Sequence, residues 1–234
     1  MFVPQVPRSL LLIGASRGLG YAMAEEFLAR GWTVVGTVRS AARTRLHDLA
    51  ESSPGGLEIE TLDITASDQI TALRSRLAGR TFGMLFVNAG VTNNPAETVA
   101  DVTTEEFARV MVTNALSPMR VVEALHGLVD QHGMIGVMSS GQGSVANNTS
   151  GKREVYRASK AALNTLMRSF AARHEGEPRA MILMAPGWVR TELGGPGAPL
   201  TIEESVPNLV STLLTMQGKA GLQYLDYLGR TVPW

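Results

Sequence analysis

The sequence predicts an α/β protein: one doubly wound, mostly parallel sheet of about seven strands with helices on both faces. Three observations carry this expectation. Short, nearly continuous apolar runs recur along the chain, as expected of strands covered on both sides. Stretches with helical spacing lie between them, so the order reads βαβαβ. A glycine-rich turn, "GASRGLG", stands between the first run and the first helical stretch. The 234 residues suit a single domain, and 1–234 shows neither a linker nor a repeat of fixed period.

The apolar runs are "SLLLIG" at 9–14, "TVVGTV" at 33–38, "LEIETL" at 57–62, "GMLFVN" at 83–88, "GMIGVM" at 133–138, "RAMILM" at 179–184 and "LQYLDYL" at 222–228. In the first helical stretch Leu19, Ala22, Met23, Phe27 and Ala29 fall on one side, with Glu25, Glu26 and Arg30 elsewhere. Gly31 is placed to close that helix at the C′ position. Another helix is expected to begin near Ser67. Two long segments rich in small residues, 141–154 and 193–207, break the rhythm and read as loops, functional or mobile.

Composition narrows the function. Hydrophobic residues are 44% and charged residues 18%, as in ordinary folded proteins. The 21 basic and 21 acidic residues balance, so no global field favours nucleic acid or an anionic membrane, and neither is expected as a partner. Any anion must be bound locally. There is no cysteine, which removes thiolate chemistry and Cys-based metal sites. His47, His126, His132 and His174 show no ligand spacing and read as surface or loop residues; no metal is expected. No run approaches the roughly 20 residues of a membrane span, and the opening "MFVPQVPRS" lacks the apolar stretch of a secretory signal. A cytoplasmic protein is expected.

In the glycine turn, Gly14, Gly18 and Gly20 follow a strand and precede a helix, the setting in which backbone approaches a pyrophosphate at a helix N-terminus. Leu19 follows Gly18 where a phosphate-binding loop of the nucleotide hydrolases requires lysine. The reading is therefore a Rossmann-type dinucleotide fold. Such a fold usually carries an acid about 20 residues on to bind the ribose diol. Arg39 stands there instead, a partner for a 2′-phosphate, and Arg17 could reach the same group, which favours NADPH (NADP+) over NADH. The alternative is two solvated surface arginines. Asp63 is a candidate to hold the adenine amino group, or else to cap the helix near Ser67. Asn88, Ala89 and Gly90 close the fourth run, where small residues let a cofactor approach and Asn can brace the turn.

Tyr156 and Lys160 lie one helical turn apart. A nearby ammonium lowers a tyrosine's pKa from about 10 and makes the pair a usable acid or base. Alone, such a pair is common on surface helices; after a dinucleotide loop it gains meaning.

"GASRGLG", "NAG", Asn114 in "VTNALSP", "MSSGQGS", "YRASKAALN" and "PGWVRTELGG" occur in the order of the short-chain dehydrogenase/reductase family, and the resemblance covers nearly the whole chain. The last two blocks, with "YLGRTVPW", look like the branch of sniffer-type carbonyl reductases and bacterial C-factor proteins. The resemblance implies that Tyr156 protonates a substrate carbonyl as hydride arrives from the nicotinamide. Lys160 would lower the Tyr156 pKa and bind the nicotinamide ribose, and Asn114 would hold a water linking Lys160 to solvent. Ser140, with Gly143, fits the family's S-x-x-G and would orient the carbonyl; it precedes Tyr156 by sixteen residues, so a longer loop must bulge between them. Ser144, twelve residues before Tyr156, is the rival.

For the cofactor the resemblance implies Gly14, Ser16, Arg17, Gly18, Leu19 and Gly20 in the first loop, then Arg39, Asp63 and Ile64, then Asn88 to Gly90. Tyr156, Lys160, Pro186, Gly187, Val189 and Thr191 complete that set. The polar stretch before Tyr156 is either a loop over the substrate or a slack connection, and 194–199 is a second candidate lid. Trp188 would line the pocket or pack inside. The expected activity is reduction of a small ketone or aldehyde to an alcohol; the alternative is a dinucleotide-binding, C-factor-like signalling or regulatory protein. A homodimer or homotetramer would form through the helix after Thr104 and the one carrying Tyr156.

Overall fold

A computed structural model describes residues 6–234; the first five residues, part of the opening stretch weighed above for a leader, lie outside the described residues. The strands are β1 Ser9–Ile13, β2 Thr33–Val38, β3 Leu57–Thr61, β4 Phe82–Val87, β5 Val129–Met138, β6 Ala180–Ala185 and β7 Gly221–Asp226. The helices are α1 Gly18–Ala29, α2 Arg45–Ser52, α3 Ser67–Arg76, α4 Thr104–Met111, α5 Ser117–Leu125, α6 Glu154–Arg173 and α7 Ile202–Met216. All seven strands pair in parallel, in the order β3-β2-β1-β4-β5-β6-β7. The chain leaves β1 toward one edge and returns from β3 to the other side of β1 at β4. The connections that leave the carboxyl ends of β1 and β4 therefore run to opposite faces of the sheet, and a crevice opens between them.

Two cores follow from the two-residue period of each strand. Leu11, Ile13, Leu85, Val87, Ile135 and Val137 face α3, α5 and α6, where Leu73, Val122, Leu163 and Phe170 meet them. Leu10, Leu12, Met84, Phe86, Met134 and Ile182 face the opposite layer, Met23 and Phe27 of α1 and Leu209 and Leu213 of α7. Because both faces are covered, the runs read as continuous rather than alternating. Gly36 and Gly136 keep sheet positions open: a Cβ on Gly136 would crowd the Phe86 ring.

The structure adjusts several expectations. β5 starts at Val129, four residues before its apolar run, and β7 ends at Asp226, where the Gly229 N–H donates to the Asp226 carbonyl at 2.9 Å and turns the chain. On α1 the buried stripe is Gly20, Ala22, Met23, Ala24 and Phe27; Leu19 is half-buried, and Ala29 is exposed because it lies at the far edge of that stripe. Gly31 takes the left-handed conformation expected of it, at φ 75°. The segment 193–207 is not loop throughout: 202–207 are the first turns of α7. Thr201 and Glu204 form a reciprocal capping box there, at 3.2 and 2.7 Å, and Pro207 sits inside the helix. The Thr-x-x-Glu pattern was visible in the sequence.

Between α4 and α5 the helix is underwound by a π turn, Val112–Leu116. His126 and His174, read as surface or loop residues, pack ring to ring at 5.2 Å around Phe170. No group of three or more metal-ligating side chains occurs among the described residues. No described helix is long and apolar enough to cross a membrane.

Candidate active site

The crevice floor is built by backbone. The Ile13 carbonyl accepts from the amides of Asn88 and Ala89 at 2.9 and 3.1 Å, while Asn88 Nδ2 donates to the Gly14 carbonyl at 2.7 Å. Asn88 thus braces the strand ends as expected. Gly14, at φ 87°, turns the chain out of β1, and a Cβ there would press on Ala89 at 2.9 Å. Gly20 does not line the crevice: it is buried, and a Cβ on it would overlap the Gly14 carbonyl oxygen. Gly18, at φ 55°, faces only Thr191, with Thr191 Cγ2 3.8 Å from where a Cβ would stand. The first turn of α1 holds no acid and its N-cap, Arg17, makes no side-chain cap, so the helix amides remain available to an anion.

From this floor extends a cleft of about 1330 Å³, lined by every cofactor candidate except Gly20. Its size exceeds the ~300–1,000 Å³ of a typical small-molecule site and has room for a dinucleotide with a substrate. Arg39 sits exposed at the end of β2 and joins no ion pair among the described residues. Arg17 does: it pairs with Glu192 from the loop after β6. Asp63 is engaged locally, its Oδ1 accepting from the Thr65 amide and hydroxyl at 2.9 and 2.7 Å. It forms a turn ahead of α3, whose N-cap is Ala66 rather than Asp63.

At the other end of the cleft, α6 presents Tyr156 and Lys160, both buried. Lys160 Nζ donates to the Met138 carbonyl at the end of β5, 2.8 Å away, and stands 5.9 Å from the centroid of the Tyr156 ring. Burial lowers the lysine's pKa to about 8. The expected lowering of the Tyr156 pKa by Lys160 needs correction: burial pushes the phenol above its usual value, and the opposing influences are the Ser140 hydroxyl and the Arg153 guanidinium. The tyrosine is thereby kept protonated.

Ser140 lines the cleft; Ser144 does not. Ser144 is buried beneath the next loop, where its Oγ accepts from the Asn147 amide at 3.1 Å. Asn114, fully buried and also outside the cleft lining, occupies the π turn. Its Oδ1 accepts from the Val91 amide at 2.8 Å, and its Nδ2 donates to the Val91 carbonyl at 2.8 Å and to Ser159 Oγ at 3.0 Å. A Cβ on Gly90 would lie 3.3 Å from Asn114 Oδ1 and 3.5 Å from Lys160 Nζ, so Gly90 is the gap through which these two groups come near. π turns recur at functional sites, and this one places a polar side chain behind the Tyr156 helix.

The site also holds residues that sequence reasoning missed. Tyr224 of β7 donates its hydroxyl to the Ser140 carbonyl. Ser139 Oγ donates to Asn164 Oδ1 at 2.6 Å, and Asn164 Nδ2 donates to the Gly143 carbonyl at 3.2 Å. Together they hold the Ser140 turn from beneath. Tyr224 carried no signal, being one apolar position among others in its strand.

Two loops form the rim. The segment 141–154 begins with a 3₁₀ turn, Gly141–Gly143, and continues irregularly to α6. The segment after β6 is pinched at its base by a bridge between Val189 and Leu200, and Trp188, half exposed, donates from Nε1 to the Gly194 carbonyl at 2.8 Å. Trp188 thus lines the cleft instead of packing inside. Just before α6, Arg153 is the single described non-glycine residue in the left-handed region, at φ 60° and ψ 42°, a conformation that costs about 1–3 kcal/mol.

Comparison with known proteins agrees with this geometry. The family model described as enoyl-(acyl carrier protein) reductase matches residues 14–205. The chain belongs to the short-chain dehydrogenase/reductase family. A Burkholderia multivorans structure described as a member of this family with bound NADP is 65% identical, with a TM-score of 0.96, covering 98% of this chain and 100% of that one. A carbonyl reductase of Pseudomonas aeruginosa in complex with NADP is 37% identical, TM-score 0.90, over 97% and 100% of the two chains. C-signal of Myxococcus xanthus is 35% identical over 153 residues, 64% of this chain and 92% of that protein. Both arms of the narrower resemblance, to carbonyl reductases and to C-factor proteins, are therefore present among the relatives.

Proposed function

We propose that this chain is an NADPH-dependent carbonyl reductase that converts a ketone or aldehyde to an alcohol. The observation that carries the reading is a single cleft joining the glycine turn and Arg39 at one end to Tyr156, Lys160 and Ser140 at the other. Gly14, Gly18 and the open α1 amides would hold the pyrophosphate, and Arg39 the 2′-phosphate. Arg17 would join Arg39 by exchanging its Glu192 partner. Ser16, Leu19, Asp63, Ile64, Asn88, Ala89 and Gly90 would line the nucleotide along the strand ends, with Pro186, Gly187, Val189 and Thr191 about the nicotinamide. When bound, the reduced nicotinamide supplies the hydride.

The chain's own residues supply the rest. Tyr156, held neutral by burial, donates its proton to the carbonyl oxygen as charge develops there. The Ser140 hydroxyl, fixed from beneath through Tyr224, orients that oxygen. Lys160, its pKa lowered by burial to about 8, stabilises the resulting phenolate, and Asn114 would hold the water that returns a proton to it. A cytoplasmic setting belongs to this reading, since such an enzyme draws on a soluble pool of reductant. So does self-association through α4 and α6, where Phe107 of α4, Leu116 of the π turn that follows it and Leu166 of α6 are exposed; light scattering tests that part.

Titration of wild type and Arg39→Ala with NADPH and NADH, followed by nicotinamide fluorescence, tests the cofactor assignment. NADPH binding should weaken about 10-fold or more in the variant, as loss of a charge-assisted pair predicts, while NADH binding changes little. An aldehyde and ketone panel run against Tyr156→Phe tests the reaction. The likeness to C-signal supports a second reading, a signalling protein, which would stand if dinucleotide binds and no carbonyl compound turns over.

A further inference from the structure

Beside the reacting end of the cleft lies a smaller cavity of about 340 Å³, lined by Pro95, Gln142, Ser150, Lys152, Arg153, Arg157, Trp188 and Gly194. Three of these carry positive charge and none is acidic. Arg157 is used by the loop itself, donating from Nε to the Lys152 carbonyl at 2.7 Å and from Nη2 to Ser150 Oγ at 3.0 Å. Lys152 is exposed and Arg153 stands at the junction, lining both the side cavity and the main cleft. The guanidinium carbon of Arg153 is 5.5 Å from the centroid of the Tyr156 ring. Its Nε is buried and donates to nothing. The acids that line the main cleft are engaged elsewhere: Asp63 with Thr65, Glu192 with Arg17 and Asp226 with Arg230. An arginine whose Nε–H is buried without an acceptor, in a left-handed backbone and beside the proton donor, is a binding group lacking its partner. Nε and a neighbouring Nη together form the side-on fork that matches a carboxylate.

We propose that the substrate is an aldehyde or ketone bearing a carboxylate, which Arg153, with Lys152 beside it, pairs in the side cavity while the carbonyl meets Tyr156 and Ser140. Pro95 and Trp188 supply the apolar wall for the carbon frame between the two ends. The inference rests on the carbonyl-reductase reading and adds the class of substrate. Arg153 is then the specificity residue, and its left-handed backbone aims the guanidinium inward where a helical conformation would extend α6 by one residue.

The test pairs acid with neutral ester on two frames: 4-carboxybenzaldehyde against methyl 4-formylbenzoate, and 4-oxobutanoate against methyl 4-oxobutanoate. The measured quantity is the acid-to-ester ratio of kcat/KM with NADPH, in wild type, Arg153→Asn, Arg153→Lys and Tyr156→Phe. Asn is chosen because it tolerates the left-handed region. In wild type the ratio should exceed about 10 on at least one frame, chiefly through KM, since each tenfold is one strong charge-assisted contact. It should collapse toward one in Arg153→Asn and recover in part in Arg153→Lys. Using a ratio removes any influence of Arg153 on Tyr156 itself. A wild-type ratio at or below one on both frames overturns the carboxylate proposal without recourse to a variant, as does an unchanged ratio in Arg153→Asn. In either case ester reduction leaves the reductase reading standing. If no compound is reduced faster than by Tyr156→Phe, the reductase reading falls and the proposal with it.

Discussion

On the glycine-turn side of the cleft, position is set by backbone against backbone: the Ile13 carbonyl receives two amides from beyond β4, and Gly20 packs on the Gly14 carbonyl with no room for a methyl group. On the substrate side the same task falls to side chains. Tyr224 holds the Ser140 carbonyl, Asn164 holds that of Gly143, and Asn114 ties Val91 to the helix bearing Tyr156. Asn88 Nδ2 on the Gly14 carbonyl apart, the first side is fixed by what the chain omits and the second by what it adds. That difference teaches where each half should be sensitive: the floor to added atoms, the substrate side to removed ones.

Tyr156→Phe should give the largest effect, a fall in kcat of about 10²–10⁴-fold with an unchanged circular dichroism spectrum. A loss below tenfold would mean that the substrate side does not carry the proton. The sharpest comparison sets two glycines against each other. Gly20→Ala forces a methyl group onto the Gly14 carbonyl and should lower unfolding free energy in urea by about 3 kcal/mol. Gly141→Ala, with open space around its Cβ position, should stay within about 0.5 kcal/mol of wild type. Equal losses at the two would erase the contrast.

Lys160 gives a pH-dependent version of the same test. Its pKa is about 8 in the folded protein against 10.5 ordinarily, so the buried charge opposes folding below pH 8. Between about 8 and 10.5 the folded state releases the proton while the unfolded state keeps it, and stability rises with pH. Relative to Lys160→Met, wild type should gain up to about 3 kcal/mol across that window in urea melts. A flat difference would show that Lys160 is solvated. A more modest loss is expected of Tyr224→Phe, between those of the two glycine variants: loss of one hydrogen bond, about 1 kcal/mol, and a severalfold fall in kcat with KM for NADPH unchanged.

The floor was legible in the sequence because it depends on residue types that leave marks. Glycines at 14, 18 and 20, and strands covered on both faces, constrain backbone, and backbone constraints are local. The Tyr156 and Lys160 spacing was legible for the same reason, one helical turn being a local distance. Tyr224 and Asn164 were not, because their partners lie 84 and 21 residues away and only the sheet order brings them together. The start of α7 was within reach through Thr201 and Glu204, but the glycines and prolines before it pointed to a loop. The direction of the Tyr156 shift depended on burial, and sequence spacing carries no measure of that.

The π turn at Val112–Leu116 has a consequence for insertions and deletions. It contains one residue more than an α-helix would place there, so it divides a single rod into two segments about 100° out of phase. Loss of any one residue from this stretch would let α4 and α5 merge into an uninterrupted helix. Val121, Val122 and Leu125 would then rotate away from the sheet, and the carboxamide at Asn114 away from Val91 and Ser159. A chain one residue shorter at this point would have to choose between its core and its active site.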